Sequence, residues 1–268
     1  MIKKAVIPAA GYGTRSLPIT KVLPKELFPI AGRPAIDYVV QEAAEAGIEE
    51  ILIVLSRYKD MIVDYFDRSL ELEVFLQEKG KAHLLPLIEQ PKVHIQYVRQ
   101  PYASGLGDAV RLAQSFAGND PFAVLLPDQF FVREQGNALQ TVIQAYEQRR
   151  NSIIGVKAVK EEDLKLYGVI QGTKVTEQLY NITDIIEKPQ IHPPSNLAVI
   201  GRYVFTPEIF QYLQRVQPGV GNEIQLTDAI KDMMAVHPFQ AQILPMDCYD
   251  LGKEEEYMAL LTYMFKRK

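Results

Sequence analysis

Little in the 268 residues can staple or chelate. A single cysteine, Cys248, excludes an intrachain disulfide framework and a cysteine-based zinc site. The four histidines, His83, His94, His192 and His237, share no ligand spacing, which argues against a structural histidine site. An excess of one charge is missing too. Lys and Arg number 29 against 33 Asp and Glu, a net charge of −4, which argues against a general nucleic-acid binder, whose affinity rests on clustered cations. No apolar run approaches the ~18 residues of a membrane helix, so no membrane partner is expected. There is no low-complexity tract and no internal repeat. What is present, 47% hydrophobic and 23% charged residues, is the composition of an ordinary globular protein. The opening MIKKAVIPAAGYGTR has two lysines and a short apolar run that stops at a Gly-rich turn. It reads as a buried strand rather than a signal peptide, and a cytoplasmic protein is expected.

The first half alternates strands and helices. Lys4–Ala9 is a continuous apolar run of the length of a buried parallel strand. Pro34 opens a helix with Ile36, Val39, Val40 and Ala43 at helical spacing, and Gly47 ends it. Further strands are predicted over 51–55, 93–98 and 122–126, with helices over 62–66, 109–116 and 138–146. This rhythm predicts a Rossmann-like α/β fold: a mainly parallel central sheet flanked by helices on both faces. Residues 69–92 read as a helical surface insertion. After residue 150 short strands follow over 153–159, 168–171, 182–187 and 198–205, with Pro189, Pro193 and Pro194 in one long connection. Helices are predicted over 207–214 and 223–235, a strand near 242–245 and a last helix from Lys253. The expectation is one domain over 1–268. Residues 1–150 form a nucleotide-sized half, and 151–268 a mixed half completing the cleft as a small lobe.

The strongest local signal is AAGYGTRSLPITKVLPKELFPI, residues 9–30, directly after the first strand. Ligands of open α/β sheets sit beyond the carboxyl ends of strands. Gly11 and Gly13 let backbone N–H groups approach a phosphate closely. Arg15, Lys21 and Lys25 add three cations. The Walker pattern is absent, and the dinucleotide pattern GxGxxG fails because Ser16 stands where its third glycine belongs. A solvated basic turn would explain GxG alone. Gly11, Gly13, Thr14, Arg15 and the PKE of Pro24–Glu26 together favour a polyphosphate.

This segment resembles the signature of the sugar-1-phosphate nucleotidylyltransferases, and its LPKELFPI wording is most similar to the bacterial UTP–glucose-1-phosphate uridylyltransferases. The resemblance runs over essentially the whole chain. It recurs in YVRQPYASGLGDAV (97–110), FAVLLPDQ (122–129), YGVI (167–170), IIEKP (185–189), PSNLAVIGRYVFTPEIF (194–210), EIQLTDAI (223–230) and YDLG (249–252). It implies a nucleotide-diphospho-sugar transferase fold with a sugar-binding lobe, and a reaction of UTP with glucose 1-phosphate giving UDP-glucose and pyrophosphate. That reaction supplies a precursor of cell-envelope polysaccharide. It also implies a homodimer or homotetramer. The apolar stripe Tyr257, Leu260, Leu261 and Met264 could serve such an interface or simply be core.

Residue roles come from the same resemblance. Ala9, Ala10, Gly11, Gly13, Thr14, Arg15, Lys25 and Glu26 would bind the nucleotide. Gln100 and Gly105 would read the base, since an amide both donates and accepts and so matches a pyrimidine imide edge. Asp128 and Asp250 would ligate Mg²⁺, which prefers one or two carboxylates plus phosphate oxygens. Lys188 would contact the sugar phosphate and the α-phosphate. Glu187 would accept from sugar hydroxyls, and Gly168, Asn196 and Val199 would line the sugar pocket. Read alone, Asp128 is equally a turn-former, and Lys188 and Gln100 equally plain loop residues. The chain departs from the family pattern at four positions. Asp108 stands where relatives often have His, Gln129 replaces a second acid, Asn222 breaks GGEIQLTDA, and Lys253 follows YDLG. None removes a residue assigned to phosphate or metal. Three other readings compete: a dTTP-dependent or other hexose-1-phosphate enzyme, a regulatory paralogue that binds without turnover, and a Rossmann oxidoreductase.

Overall fold

The computed structural model describes residues 1–267. The first apolar run forms β1 (Lys4–Ala9). Ala5, Ile7 and Ala9 point into one core and Val6 into another, because successive strand side chains face opposite sides of a sheet. Both faces are therefore buried, which is why the run shows no polar alternation. A small hairpin follows, β2 (Pro29–Ile30) and β3 (Arg33–Pro34), then α1 (Ala35–Glu45), β4 (Glu50–Leu55), α2 (Asp60–Phe66) and α3 (Leu70–Glu78). Next come β5 (His94–Arg99), α4 (Leu106–Arg111), α5 (Gln114–Ala117), β6 (Phe122–Leu125), β7 (Gln129–Phe131) and α6 (Ala138–Arg149). The second half holds β8 (Ser152–Ala158), β9 (Gly168–Lys174), β10 (Leu179–Glu187), β11 (Leu197–Phe205), α7 (Ile209–Leu213), α8 (Leu226–Met234), β12 (Phe239–Ile243), β13 (Cys248–Asp250) and α9 (Glu254–Phe265).

Nine strands make one sheet in the order β5-β4-β1-β6-β11-β8-β12-β10-β9. The first-half strands β5, β4, β1 and β6 are mutually parallel. The second half is mixed. β11 runs antiparallel to both β6 and β8, and β12 is parallel to β8. The two halves of the chain thus share one sheet, joined where β11 of the second half pairs with β6 of the first. Helices α1, α2 and α6 pack on one face, and α4, α5, α7 and α8 on the other. A smaller cluster holds α9 against the β2–β3 hairpin through Ile30, Phe130, Leu251 and Leu260. In the last-helix stripe, Leu260 is fully buried, and Tyr257 and Met264 pack against the same cluster, which makes these three core. No helix among the described residues is long and apolar enough to cross a membrane.

Some boundaries differ from expectation for local reasons. The helix expected over 109–116 starts at Leu106 and is interrupted between α4 and α5. The helix expected from Glu223 starts at Leu226, because the Ile224 backbone bonds elsewhere. Its N–H donates to the Ser104 carbonyl at 2.7 Å and its carbonyl accepts from the Gly107 N–H at 2.8 Å. The strand expected near 242–245 begins earlier, at Phe239. The 69–92 insertion is helical, as α3 plus a 3-10 run over Ala82–Ile88, and only Leu76 of α3 is buried.

Candidate active site

The carboxyl ends of β1, β5 and β6 open into one cleft of about 310 Å³. Gly11, Lys25, Glu26, Gln100, Gly105, Asp128 and Lys188 line it, together with Ala10. They come from stretches of chain as far apart as residues 10–26, 100–105, 128 and 188, so the sheet, not local sequence, assembles them. Ala9 faces the core instead, with its side chain 1% exposed. The loop after β1 coils through three 3-10 turns, Thr14–Ser16, Ile19–Lys21 and Lys25–Leu27. Gly13 turns it with φ of 67°, where a Cβ would lie 3.0 Å from the Thr20 side chain. Thr14 and Lys21 line an adjoining hollow with Lys25, Ser56 and Lys59.

Opposite charges are matched closely here. The Lys25 ammonium donates to Asp128 Oδ2 at 2.5 Å. Burial works against that ammonium, but Asp128 and Glu26 hold its titration above the ordinary lysine value. Burial likewise opposes the Asp128 carboxylate, yet Lys25 and then Arg15 pull it below the usual carboxylate range. Arg15 Nη1 donates to Asp250 Oδ2 at 3.1 Å, and Nη2 lies 4.0 Å from Asp128 Oδ2. One guanidinium therefore touches both aspartates. Burial and then the charge of Asp128 push Asp250 above the usual carboxylate range, against Arg15 and the Gly252 N–H.

Two short elements bring these distant aspartates together. Antiparallel pairing of β7 with β13 sets Asp250 opposite Gln129, and the Leu251 N–H donates to the Asp128 carbonyl at 2.8 Å. Arg202, wholly buried on β11, fixes the same corner. Its guanidinium donates to the carbonyls of Leu126 at 3.1 Å and Gln129 at 3.0 Å, on either side of Asp128. It also meets Glu42 of α1 at 2.7 Å and stacks over Phe131 at 4.6 Å. Neither the β7–β13 pairing nor Arg202 was foreseen. The available signal was a lone charge inside the nine-residue apolar run LAVIGRYVF.

Glu187 and Lys188 leave the end of β10 side by side, with Lys188 Nζ 3.0 Å from Glu187 Oε1. Lys188 has φ of 46°, an uncommon backbone for a residue with a side chain, held where its N–H donates to the Tyr167 carbonyl at 3.0 Å. Glu187 Oε2 accepts from the Thr227 hydroxyl at 2.6 Å. A Cβ on Gly168 would sit 3.4 Å from Glu187 Oε2, 3.4 Å from Thr227 Oγ1 and 3.6 Å from Val199. Gly168, Glu187, Val199 and Lys188 thus converge, and Thr227, at the start of α8, joins them unforeseen. Asn196 does not join this group. It is exposed, and its carbonyl accepts from the Val159 N–H in the β8–β11 edge.

Glu26 is 1% exposed and paired with Lys59 at 2.8 Å, a buried cation that no local motif marks. Burial first, only partly countered by Glu26, lowers the Lys59 titration. Among the departures from pattern, Gln129 is structural, its Oε1 accepting from Cys248 Sγ at 3.4 Å. Asn222 takes φ of 58°, which asparagine tolerates. Lys253 ties Asp163 at 2.9 Å to Glu256 at 2.8 Å and lies over Tyr167. Asp108 bonds to Gln100.

Among the described residues no cluster of three or more His, Cys, Asp or Glu side chains forms a cage for a metal. Asp128 and Asp250 remain as a pair of hard oxygen donors, close enough to share one guanidinium and for the charge of Asp128 to raise the cost of ionising Asp250. A two-carboxylate set suits a cation that takes its other ligands from water and phosphate, as Mg²⁺ does.

The profile of the nucleotidyl transferase family matches residues 4–265. A Staphylococcus epidermidis protein named UTP–glucose-1-phosphate uridylyltransferase is 48% identical over 256 residues, which is 94% of this chain and 88% of that protein. Among solved structures, a UDP-glucose pyrophosphorylase complexed with UDP-glucose superposes with a TM-score of 0.90 at 41% identity, over 100% of both chains. The UTP-bound UGPase from Acinetobacter baumannii gives 0.89 at 39% identity, over 98% of this chain and 93% of that one.

Proposed function

The chain belongs to the nucleotidyl transferase family, and from that premise we propose that it is a uridylyltransferase joining UTP and glucose 1-phosphate into UDP-glucose and pyrophosphate. One observation carries the reading beyond likeness: Lys25, Asp128, Lys188 and Gln100 line a single cleft, with Arg15 bridging Asp128 to Asp250.

The chemistry asks for little proton transfer. A sugar phosphate is already an anionic nucleophile near neutral pH, and no histidine lines the cleft among the described residues. A phosphate oxygen of the sugar forms a bond to the α-phosphorus, the α–β bridging P–O bond breaks, and pyrophosphate leaves with its electron pair. The obstacle is repulsion between anions, so the protein's work is positioning and electrostatic stabilisation. Lys188 would neutralise the incoming sugar phosphate. Arg15 and Lys25 would hold the β- and γ-phosphates as they leave, exchanging their carboxylate partners for phosphate oxygens. Glu187, oriented by Thr227, would accept from sugar hydroxyls, and Gly168 would give the hexose room beside it. Mg²⁺ held by Asp128 and Asp250 would supply charge neutralisation at the α-phosphate.

The test is pyrophosphate release by the purified chain with glucose 1-phosphate and each nucleoside triphosphate in turn. Mg²⁺-dependent turnover with UTP is expected. No release with UTP overturns the assignment, and a preference for dTTP reassigns the nucleotide.

A further inference from the structure

Gln100 follows β5, and its N–H extends the ladder by donating to the Leu55 carbonyl at 2.8 Å. Its side chain is almost wholly buried at 3% exposure, yet it reaches the cleft. The amide nitrogen Nε2 donates twice, to the Gly105 carbonyl at 3.2 Å and to Asp108 Oδ2 at 2.8 Å. Both partners face it as acceptors. A main-chain carbonyl can only accept, and the other oxygen of Asp108 is itself taken by the Arg111 guanidinium. Turning the amide over would set Oε1 against two acceptors and leave both without a donor, in a buried place where unpaired polar groups are costly.

The amide is therefore held one way round, and Oε1 is its free end. No donor among the described residues reaches Oε1, and Oε1 is not among the buried polar atoms left without a partner. Since Gln100 lines the cleft and Nε2 is engaged, Oε1 is the amide atom left for a bound ligand.

We propose that Asp108 is a positioning residue for base selection: it locks the Gln100 amide so that the cleft presents a lone acceptor, which accepts a ring N–H and rejects a ring nitrogen lone pair. Uracil carries N–H at N3, where cytosine carries a lone pair. With the ribose fixing the register, uracil at N3 meets an acceptor and bonds, while cytosine sets acceptor against acceptor. Discrimination between UTP and CTP thus rests on a carboxylate that touches neither nucleotide. The inference builds on the uridylyltransferase reading.

The variant Asp108→Asn keeps shape but lets residue 108 donate as well as accept, so the amide can turn and present Nε2. The experiment measures kcat/KM for UTP and for CTP with saturating glucose 1-phosphate, in wild type and variant. The ratio of UTP to CTP should fall at least about tenfold in the variant, through a higher KM for UTP with kcat nearly kept. A merely structural role for Asp108 would lower both nucleotides alike and leave the ratio unmoved, and that result overturns the proposal. Should Asp108→Asn not fold, Asp108→Ala serves instead, since it too removes the lock on the Gln100 amide: its ratio falls likewise, or the proposal fails. A wild-type chain inactive with UTP would remove the uridylyltransferase reading itself. An active wild type with an unmoved ratio in the variant removes this inference alone.

Discussion

At the scale of single residues the site is a set of ion pairs waiting to change partners. Lys25 and Asp128 illustrate the energetics. Asp128 titrates below the usual carboxylate range, so its contribution to stability is present above that range and lost as pH falls through its lowered value. Lys25 titrates above the ordinary lysine value, so its contribution is present below that value and lost as pH rises through the raised one. Asp250 works the opposite way, since its raised value makes its ionisation a cost as pH rises. Urea unfolding of wild type and Lys25→Met should show a stability difference that is flat around neutrality and shrinks in acid. A difference constant down to strongly acidic pH would contradict the pairing. Gly11, Arg15 and Lys25 stood out in the chain itself, whereas Asp128 and Lys188, read alone a turn-former and a loop residue, were singled out only by the family resemblance. Lys59 and Thr227 did not stand out, because a lysine after a strand and a threonine opening a helix are unremarkable until their partners Glu26 and Glu187 are placed.

At the scale of elements, two short pieces decide more than the long ones. The long buried strands announce themselves, because burial on both faces removes polar residues from 5–9, 51–55 and 122–125. The three-residue strands β7 and β13 are too short to show any period, yet their pairing is what joins Asp128 to Asp250. The same holds for residues 223–225. They look like the first turn of a helix, and instead clamp the loop that carries Gly105. Gly105 has φ of 108°, and a Cβ there would lie 2.6 Å from the Ile224 carbonyl oxygen. Gly105→Ala must therefore push this clamp open, with an expected loss of about 1–3 kcal/mol of stability and a raised KM for UTP. Denaturation together with steady-state kinetics checks it. An alanine variant with wild-type stability and KM would show that the loop is not held as described.

At the scale of the whole molecule, the sheet is continuous across both halves of the chain. Strand β11 lies between β6 and β8 and brings Arg202 under the corner that holds Asp128. The parallel first half was readable from its βα rhythm. The reversal at β11 was not, because direction depends on a connection that returns from the second half. Arg202 and Glu42 form a fully buried pair, so Glu42→Gln leaves a buried guanidinium without its counter-charge. We expect a loss of about 3–5 kcal/mol in equilibrium unfolding. A loss below about 1 kcal/mol would mean that the corner is held by other contacts. Charge in the cleft is what brings two anions together, and the turnover number of Asp128→Asn with UTP and glucose 1-phosphate tests that most directly. The folded variant should lose roughly a hundredfold or more in kcat, about 3 kcal/mol of transition-state stabilisation. A folded Asp128→Asn protein turning over at the wild-type rate would contradict it.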